Sequence, residues 1–117
     1  MAITPRTKAI LPVHLGGHPV DMDKVLSIVK KYNLHLIEDA AQSMGSMYKN
    51  KPVGAFGDVS CLSFFVNKTI TTGEGGMIMT DSDEIYKELL MLKNDGRPER
   101  GAFLFPIVGY NFRTTDL

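Results

Sequence analysis

The sequence predicts an α/β domain with a mostly parallel sheet, one antiparallel strand and flanking helices. Residues 8–38 have the pattern of a strand, a helix and a second strand, and such units fold with parallel strands and a right-handed crossover. The apolar segments at 59–66 and 76–80 are joined by a loop that is short for a parallel return, so the second is expected to run antiparallel. At 117 residues the chain fits one domain with a modest core.

The first strand is predicted over residues 8–15, whose nearly continuous apolar character suits a strand covered on both faces. Pro12 lacks a backbone N–H, which favours a sheet edge or a strand end. Asp21 is the expected N-cap of a helix that ends near Asn33, and residues 34–37 form the next strand. The apolar positions of this helix recur at helical spacing: Met22, Val25, Leu26, Val29 and Tyr32.

The second half begins with an irregular connection over residues 43–57, where glycine and proline recur. The strand at 59–66 follows and leads into a polar loop. After the antiparallel strand, Asp81 and Glu84 have capping-box spacing, which predicts a helix that ends before Gly96.

A loop over residues 95–105 leads into an apolar run at 103–108 that a small domain cannot easily cover. This run indicates a missing partner surface. Together with the way the elements begin and end, it leads us to expect a domain truncated at both ends.

The composition excludes several classes of function. Thirteen basic and thirteen acidic residues are interspersed, so no nucleic-acid or anionic-membrane partner is predicted. The single cysteine, Cys61, cannot form an internal disulfide, which suits a reducing cytoplasm. No apolar run reaches membrane-spanning length, and no signal peptide is visible. The prediction is a cytoplasmic chain.

Two strand exits carry the residues with chemical potential. Lys68 follows the strand at 59–66, and Asp39 follows the strand at 34–37. In open α/β sheets, ligands gather at the carboxyl ends of strands. A lysine that can form a Schiff base and an acid for a pyridinium nitrogen are what pyridoxal phosphate requires. From these residues alone, a solvated loop lysine and a strand-end cap remain the alternatives.

The sequence also contains a histidine pair and a glycine-rich loop, and neither predicts a separate binding site. His14 and His18 are four residues apart, but the glycine pair between them excludes a helical metal-binding face, and no further ligand is near, so no metal is predicted. Gly73, Gly75 and Gly76 resemble a phosphate-cradling loop, although a structural role is favoured. No G-x-G-x-x-G follows a strand, which disfavours dinucleotide binding.

Four motifs occur in an order that resembles the DegT/DnrJ/StrS family of sugar aminotransferases. They are IEDAAQ at 37–42, SFFVNK at 63–68, TTGEGG at 71–76 and GYNFR at 109–113. The run at 67–77 is most similar to the perosamine-forming branch. The resemblance implies the large domain of a fold type I enzyme that depends on pyridoxal 5′-phosphate.

The resemblance also implies roles for individual residues. Lys68 would be the catalytic residue, which holds the cofactor covalently and moves the substrate proton. Asp39 would pair with the ring nitrogen, Ala41 would lie flat against the ring, and Gln42 would bind the ring hydroxyl. Ser63, five residues before Lys68, would bind the phosphate.

The remaining implied binding residue is Asn111, which would reach the phosphate in the partner of a homodimer. Arg113 could assist there or bind a carboxylate, and Glu74 has no derived role.

The implied reaction moves an amino group from a donor, L-glutamate being the expected one, to a nucleotide-linked 4-keto-6-deoxy sugar. The dehydratase branch of the family replaces the lysine by histidine, so Lys68 disfavours it. Family members are several times longer than this chain and carry a small C-terminal domain. A catalytically inert α/β module therefore remains the alternative, and the isolated 117 residues are expected to be inactive.

Overall fold

The computed structural model describes residues 2–114. The chain divides into two compact units, Met1–Met79 and Thr80–Leu117. The strands and helices, in chain order, are β1 (Ala9–Ile10), α1 (Met22–Tyr32), β2 (His35–Asp39), β3 (Met47–Tyr48), β4 (Lys51–Pro52), β5 (Val59–Ser63), β6 (Gly76–Met79) and α2 (Asp83–Leu92).

The first unit contains a four-stranded sheet in the order β1-β2-β5-β6. The strands β1, β2 and β5 are parallel, while β6 pairs antiparallel with β5. The predicted fold class is therefore confirmed. Because β2 and β5 are parallel neighbours, their carboxyl ends lie at the same edge of the sheet.

The first strand is shorter than predicted. Only Ala9 and Ile10 form regular pairs, and a single further bridge joins Val13 to Asp39. Asp39 donates its N–H to the carbonyl of Pro12 and accepts the N–H of His14 at its own carbonyl. The edge position expected from Pro12 is confirmed, and the pairing breaks up there because proline supplies no N–H.

Helix α1 is capped as the sequence predicts. The side chain of Asp21 accepts the N–H of Lys24, and Asn33 ends the helix in the left-handed conformation with φ of 49°. The prediction for residues 43–57 was incomplete, because β3 and β4 form a small antiparallel hairpin there. Lys49 and Asn50 both have positive φ, which is typical of a two-residue hairpin turn.

The central strand also ends earlier than predicted. β5 stops at Ser63 rather than at Val66, and Phe65 and Val66 are 41% and 63% exposed. The N–H of Lys68 donates to the carbonyl of Phe65 and closes a turn. The apolar run therefore continues past the strand, because its last residues enter a loop that satisfies its own backbone.

A buried carboxylate organises the inner face of this unit. Glu38 is completely buried and accepts the N–H groups of Gly54, Phe56 and Gly57 at 2.9, 2.6 and 2.7 Å. Its fourth contact is the Nε2 atom of His14, also completely buried, at 3.2 Å. Glu38 thereby attaches the segment between β4 and β5 to β2.

His14 is a structural residue in this arrangement. The N–H of Val20 donates to its Nδ1 atom, so Nε2 carries the proton that is donated to Glu38. Within residues 2–114, no group of three or more His, Cys, Asp or Glu side chains could hold a metal ion.

The second unit contains α2 and the segment that returns beside it. The helix cap is Ser82, whose side chain accepts the N–H of Ile85, so the predicted capping box of Asp81 and Glu84 was wrong. An isolated bridge joins Asn94 to Asn111. The apolar run is exposed as expected, with Phe103 at 94% and Val108 at 85%.

Over residues 2–114, no helix combines the length and the apolar character that crossing a membrane requires.

Candidate functional site

A pocket of about 330 Å³ opens where the segments after β2 and β5 come together. This volume lies at the lower end of the range for small-molecule sites. Its lining residues are Ala41, Gln42, Met44, Ser63, Asn67, Lys68, Thr69 and Ile70. Four of the residues implied by the resemblance therefore share one pocket, although their roles stay predictions.

Lys68 enters the pocket from a turn and not from a strand end. It lies five positions after Ser63, the last residue of β5. Its backbone N–H is bonded to the carbonyl of Phe65, and the residue is half-buried. Ser63 and Lys68 both line the pocket, so the segment that joins them forms part of its wall.

The loop after Lys68 is fixed by bonds to Phe64. The carbonyl of Phe64 accepts the N–H of Thr72 and the hydroxyl of Thr71, and its N–H donates to the carbonyl of Gly75. The N–H of Gly73 donates to Thr71 Oγ1 at 2.9 Å. These contacts support the structural role that the sequence favoured for the glycine-rich loop.

The other wall of the pocket follows β2. Ala40 donates its N–H to the carbonyl of Cys61, which holds the start of this wall against β5. Ala41 is half-buried, and Gln42 lies beside it with its Oε1 atom accepting the N–H of Gly16 at 2.9 Å. Gln42 therefore has its amide NH₂ available, while its carbonyl oxygen is occupied by the protein.

Asp39 lies next to the pocket and is not among the residues that line it. Its Oδ1 atom accepts the N–H of Ala41 at 3.0 Å, and its strand partner is Cys61. Burial, with a further contribution from the negative charge of Asp39, raises the pKa of the Cys61 thiol. The Asp39 carboxylate is thus half-buried at the sheet edge, close to the neighbouring strand.

The predicted residues of the GYNFR motif belong to the second unit. The Oδ1 atom of Asn111 accepts both the N–H and the Nε–H of Arg113, at 3.3 and 2.9 Å. Arg113 also donates to Asn94 and lies 3.5 Å from Asp95. Within its own unit, Arg113 therefore orients Asn111 and leaves the amide NH₂ of that residue as its donor.

Sequence reasoning missed two polar residues of the pocket, Asn67 and Thr69. They flank Lys68 directly, so their position beside the candidate lysine was the available signal. It also missed the His14–Glu38 pair, because nothing in the sequence shows that a loop histidine and a strand glutamate are buried together.

The groups around the pocket suit pyridoxal phosphate. They supply one primary amine, two hydroxyls and two amides, with Ala41 as a small apolar surface, and this set can bind an anionic ligand that carries a carbonyl. This topology and this set of donors are compatible with a pyridoxal-phosphate-dependent transferase of fold type I.

Comparison with known proteins identifies the family. The family model described as the DegT/DnrJ/EryC1/StrS aminotransferase family matches residues 1–117, and the chain belongs to this family. The relationship inferred from the four sequence motifs is confirmed. Pyridoxal phosphate is the cofactor of the family, and one solved relative, the GDP-4-keto-6-deoxy-D-mannose-3-dehydratase of E. coli, contains it in hydrated form.

Two curated relatives illustrate the match. The chain is 49% identical over 115 residues to the GDP-perosamine synthase of Caulobacter vibrioides, which covers 98% of this chain and 31% of that protein. It is 42% identical over 117 residues to a UDP-N-acetyl-3-dehydro-α-D-glucosamine 3-aminotransferase of Acidithiobacillus ferrooxidans, over 99% of this chain and 31% of that protein. The chain thus spans about a third of the length of these relatives.

Solved structures agree with the fold. DesV from S. venezuelae, solved with a ketimine intermediate, superposes with a TM-score of 0.86 at 40% identity, over 96% of this chain and 30% of that one. GDP-4-keto-6-deoxymannose-3-dehydratase, solved as a mutant with GDP-perosamine, gives a TM-score of 0.87 at 36% identity, over 96% and 33%. The family thus includes both sugar aminotransferases and a dehydratase.

Proposed function

We propose that the protein containing this chain is a pyridoxal-phosphate-dependent aminotransferase that transfers an amino group from L-glutamate to a nucleotide-linked 4-keto-6-deoxy sugar. The observation that carries the proposal is the pocket that Lys68, Ser63 and Gln42 line together. Identity to GDP-perosamine synthases favours a GDP-linked sugar as the first substrate to test.

The bound cofactor would supply an electron sink that lowers the barrier to proton removal from the carbon bearing nitrogen. Lys68 would hold the cofactor through Nζ, and its amine would move the proton at the substrate carbon. Asp39 would keep a proton on the ring nitrogen, because a carboxylate stabilises a neighbouring positive charge. Gln42 would donate to the ring hydroxyl, and Ser63 would donate to the phosphate.

The chain supplies only part of the complete site. We propose that it forms part of the large domain, since it covers 31% of its perosamine-synthase relative. In a homodimer, the NH₂ group of Asn111 would reach the phosphate held by the partner subunit. We also propose that the protein works in the cytoplasm.

A dehydratase function is the second candidate, because two solved neighbours at 36% identity are dehydratases. Lys68 speaks against it, since the resemblance implies histidine at this position in that branch. The third candidate is an inert α/β module, which the short span of the chain relative to its relatives favours.

Covalent labelling tests the role of Lys68. The chain would be incubated with pyridoxal phosphate, reduced with borohydride and digested, and the modified peptides would be identified by mass spectrometry. We expect modification to concentrate on Lys68 and to be lost in Lys68→Arg, while Lys30→Arg, an exposed site on α1, serves as the matched control. Labelling spread evenly over surface lysines would support the inert module.

Amino transfer tests the reaction. The product of the complete reading frame that encodes these residues would be given isotopically labelled L-glutamate and a GDP-linked 4-keto-6-deoxy hexose. Label in the sugar amine is the expected result, with UDP- and dTDP-linked keto sugars as competitors. A deoxygenated sugar without retained nitrogen would favour the dehydratase.

A further inference from the structure

The turn between β1 and α1 contacts the pocket wall at Gln42. Leu15–Gly17 forms a single 3-10 turn in which Gly16 and Gly17 have φ of 60° and 82°, the left-handed region that favours glycine. The N–H of Gly16 points to Gln42 Oε1 at 2.9 Å. A Cβ added to Gly17 would lie 3.5 Å from the carbonyl oxygen of Gln42. The turn is therefore seated directly on this residue.

Ser46 makes a second contact with the turn. Its Oγ atom donates to the carbonyl of Gly17 at 2.7 Å. The backbone of Ser46 is itself held, because its N–H donates to the carbonyl of Ser43 and its carbonyl accepts the N–H of Val53. Because the backbone of Ser46 is held in this way, its hydroxyl restrains the position of Gly17 in the turn.

The beginning of the turn is also anchored. His14 is completely buried between Glu38 and the N–H of Val20, and its own N–H donates to the carbonyl of Asp39 at 3.1 Å. His14 and Gly17 are therefore held on either side of Gly16, and the N–H of Gly16 is directed at Gln42 Oε1. That direction selects the orientation of the Gln42 amide.

A backbone N–H can bond only to the oxygen of an amide side chain, so the NH₂ group of Gln42 is the end left for a ligand. We infer that the Gly16–Gly17 turn and Ser46 are a positioning element that presents Gln42 to the pocket as a hydrogen-bond donor. The pocket would therefore take a ligand with an acceptor oxygen at this end, such as a deprotonated ring hydroxyl. The inference rests on the proposed function for the identity of that ligand.

Hydrogen exchange tests the contact without any cofactor. Gly16 is exposed, so protection of its N–H depends on the bond to Gln42. We expect the Gly16 N–H to be protected in the wild type and in Gln42→Glu, which keeps an acceptor oxygen. Gln42→Met and Ser46→Ala should remove the protection, and Ser46→Thr should restore it.

Binding of two compounds tests the donor. The full-length protein would be titrated with pyridoxal phosphate and with its analogue lacking the ring hydroxyl. A hydrogen bond to a charged oxygen is strong enough that we expect the wild type to prefer pyridoxal phosphate by about tenfold. Gln42→Glu and Gln42→Met should lose the preference, Ser46→Ala should weaken it, and Ser46→Thr should keep it.

Each outcome decides one of the two proposals. An unprotected Gly16 N–H in the wild type, or an unchanged preference in Gln42→Glu, would overturn the positioning inference. Equal weakening of both compounds in Ser46→Ala would also overturn it, since that result indicates a general structural role. If the wild type binds neither compound, the proposed function and the ligand assigned to Gln42 both fail, while the exchange data separately decide the contact between the turn and Gln42.

Discussion

The two walls of the pocket are held by different means. The wall after β2 is attached to buried groups: Glu38 and His14 are completely buried, and the carboxylate receives three backbone N–H bonds. The wall after β5 is an exposed loop, in which Thr71 and Gly75 bond locally to Phe64. One wall therefore depends on long-range burial, and the other depends on local backbone geometry.

This difference matches the two tasks proposed for the site, which are holding the cofactor ring and moving a proton. The wall after β2 carries Ala41 and Gln42, which would contact the flat ring and need a constant position. The loop after β5 carries Lys68, which must exchange between bound states during the proposed reaction. Regions with exposed hydrogen bonds open at lower free energy than buried ones, so the loop is expected to be the more mobile wall.

The largest effect is expected for Glu38→Gln. The amide NH₂ would face N–H donors from Gly54, Phe56, Gly57 or His14, leaving buried donors unpaired. Each carboxylate oxygen accepts two of these donors, and an unpaired buried donor costs about 2 kcal/mol, so we expect a loss of about 4 kcal/mol in the free energy of unfolding in urea.

The matched control for this substitution is the exposed Glu74→Gln, for which we expect a change within about 0.5 kcal/mol. Similar values for the two variants would show that the wall after β2 does not depend on the buried carboxylate.

A smaller, local effect is expected for Gly75→Ala. Gly75 has φ of 154°, and an added Cβ would lie 2.6 Å from Thr72 Oγ1, which is itself bonded to the carbonyl of Glu74. We expect a cost of about 2 kcal/mol and faster exchange of the Thr72 N–H. Gly73→Ala is the control: its φ is 80° but nothing lies within 4 Å, so about 1 kcal/mol is expected. Equal costs would contradict the close contact between the added Cβ and Thr72 Oγ1.

The smallest expected effect is a change in the pKa of the Cys61 thiol when the negative charge of Asp39 is removed. Burial and the Asp39 charge raise the pKa of the Cys61 thiol, so the folded chain holds the thiol proton more tightly than the unfolded chain. The stability contributed by Cys61 is therefore present at low pH and is lost as the pH rises above the unfolded pKa of about 8.5.

The measurement is the rate of Cys61 alkylation by iodoacetamide as a function of pH. Asp39→Asn should shift the profile to lower pH, because a nearby negative charge is removed. The exposed Asp81→Asn should leave it unchanged. An unshifted profile in Asp39→Asn would place the carboxylate away from Cys61.

Much of the fold could be predicted because its signals are local. The Asp21 cap, the end of α1 at Asn33 and the antiparallel return of β6 depend on residues close in sequence. The errors occurred where local patterns compete. The run through Phe65 and Val66 is as apolar as a strand, yet β5 ends at Ser63 because backbone bonds within the loop replace those of the sheet.

The candidate site was partly accessible from sequence. The strand exits indicated Lys68 and Asp39, and the resemblance supplied Ala41, Gln42 and Ser63. The pocket also includes Asn67 and Thr69, while Asp39 lies outside its lining. Which side chains face a pocket depends on turn geometry after each strand, and the polar loop residues give no periodic signal for it.

The sequence by itself determined the fold class, the family and the residue types available for chemistry, because these depend on periodicity, caps and motifs along the chain. Only the tertiary structure decided that His14 is buried against Glu38 and that Gly16 takes the oxygen of Gln42. Such contacts join residues 24 and 26 positions apart, and their partners are chosen by the packing of strands and turns rather than by neighbours in sequence.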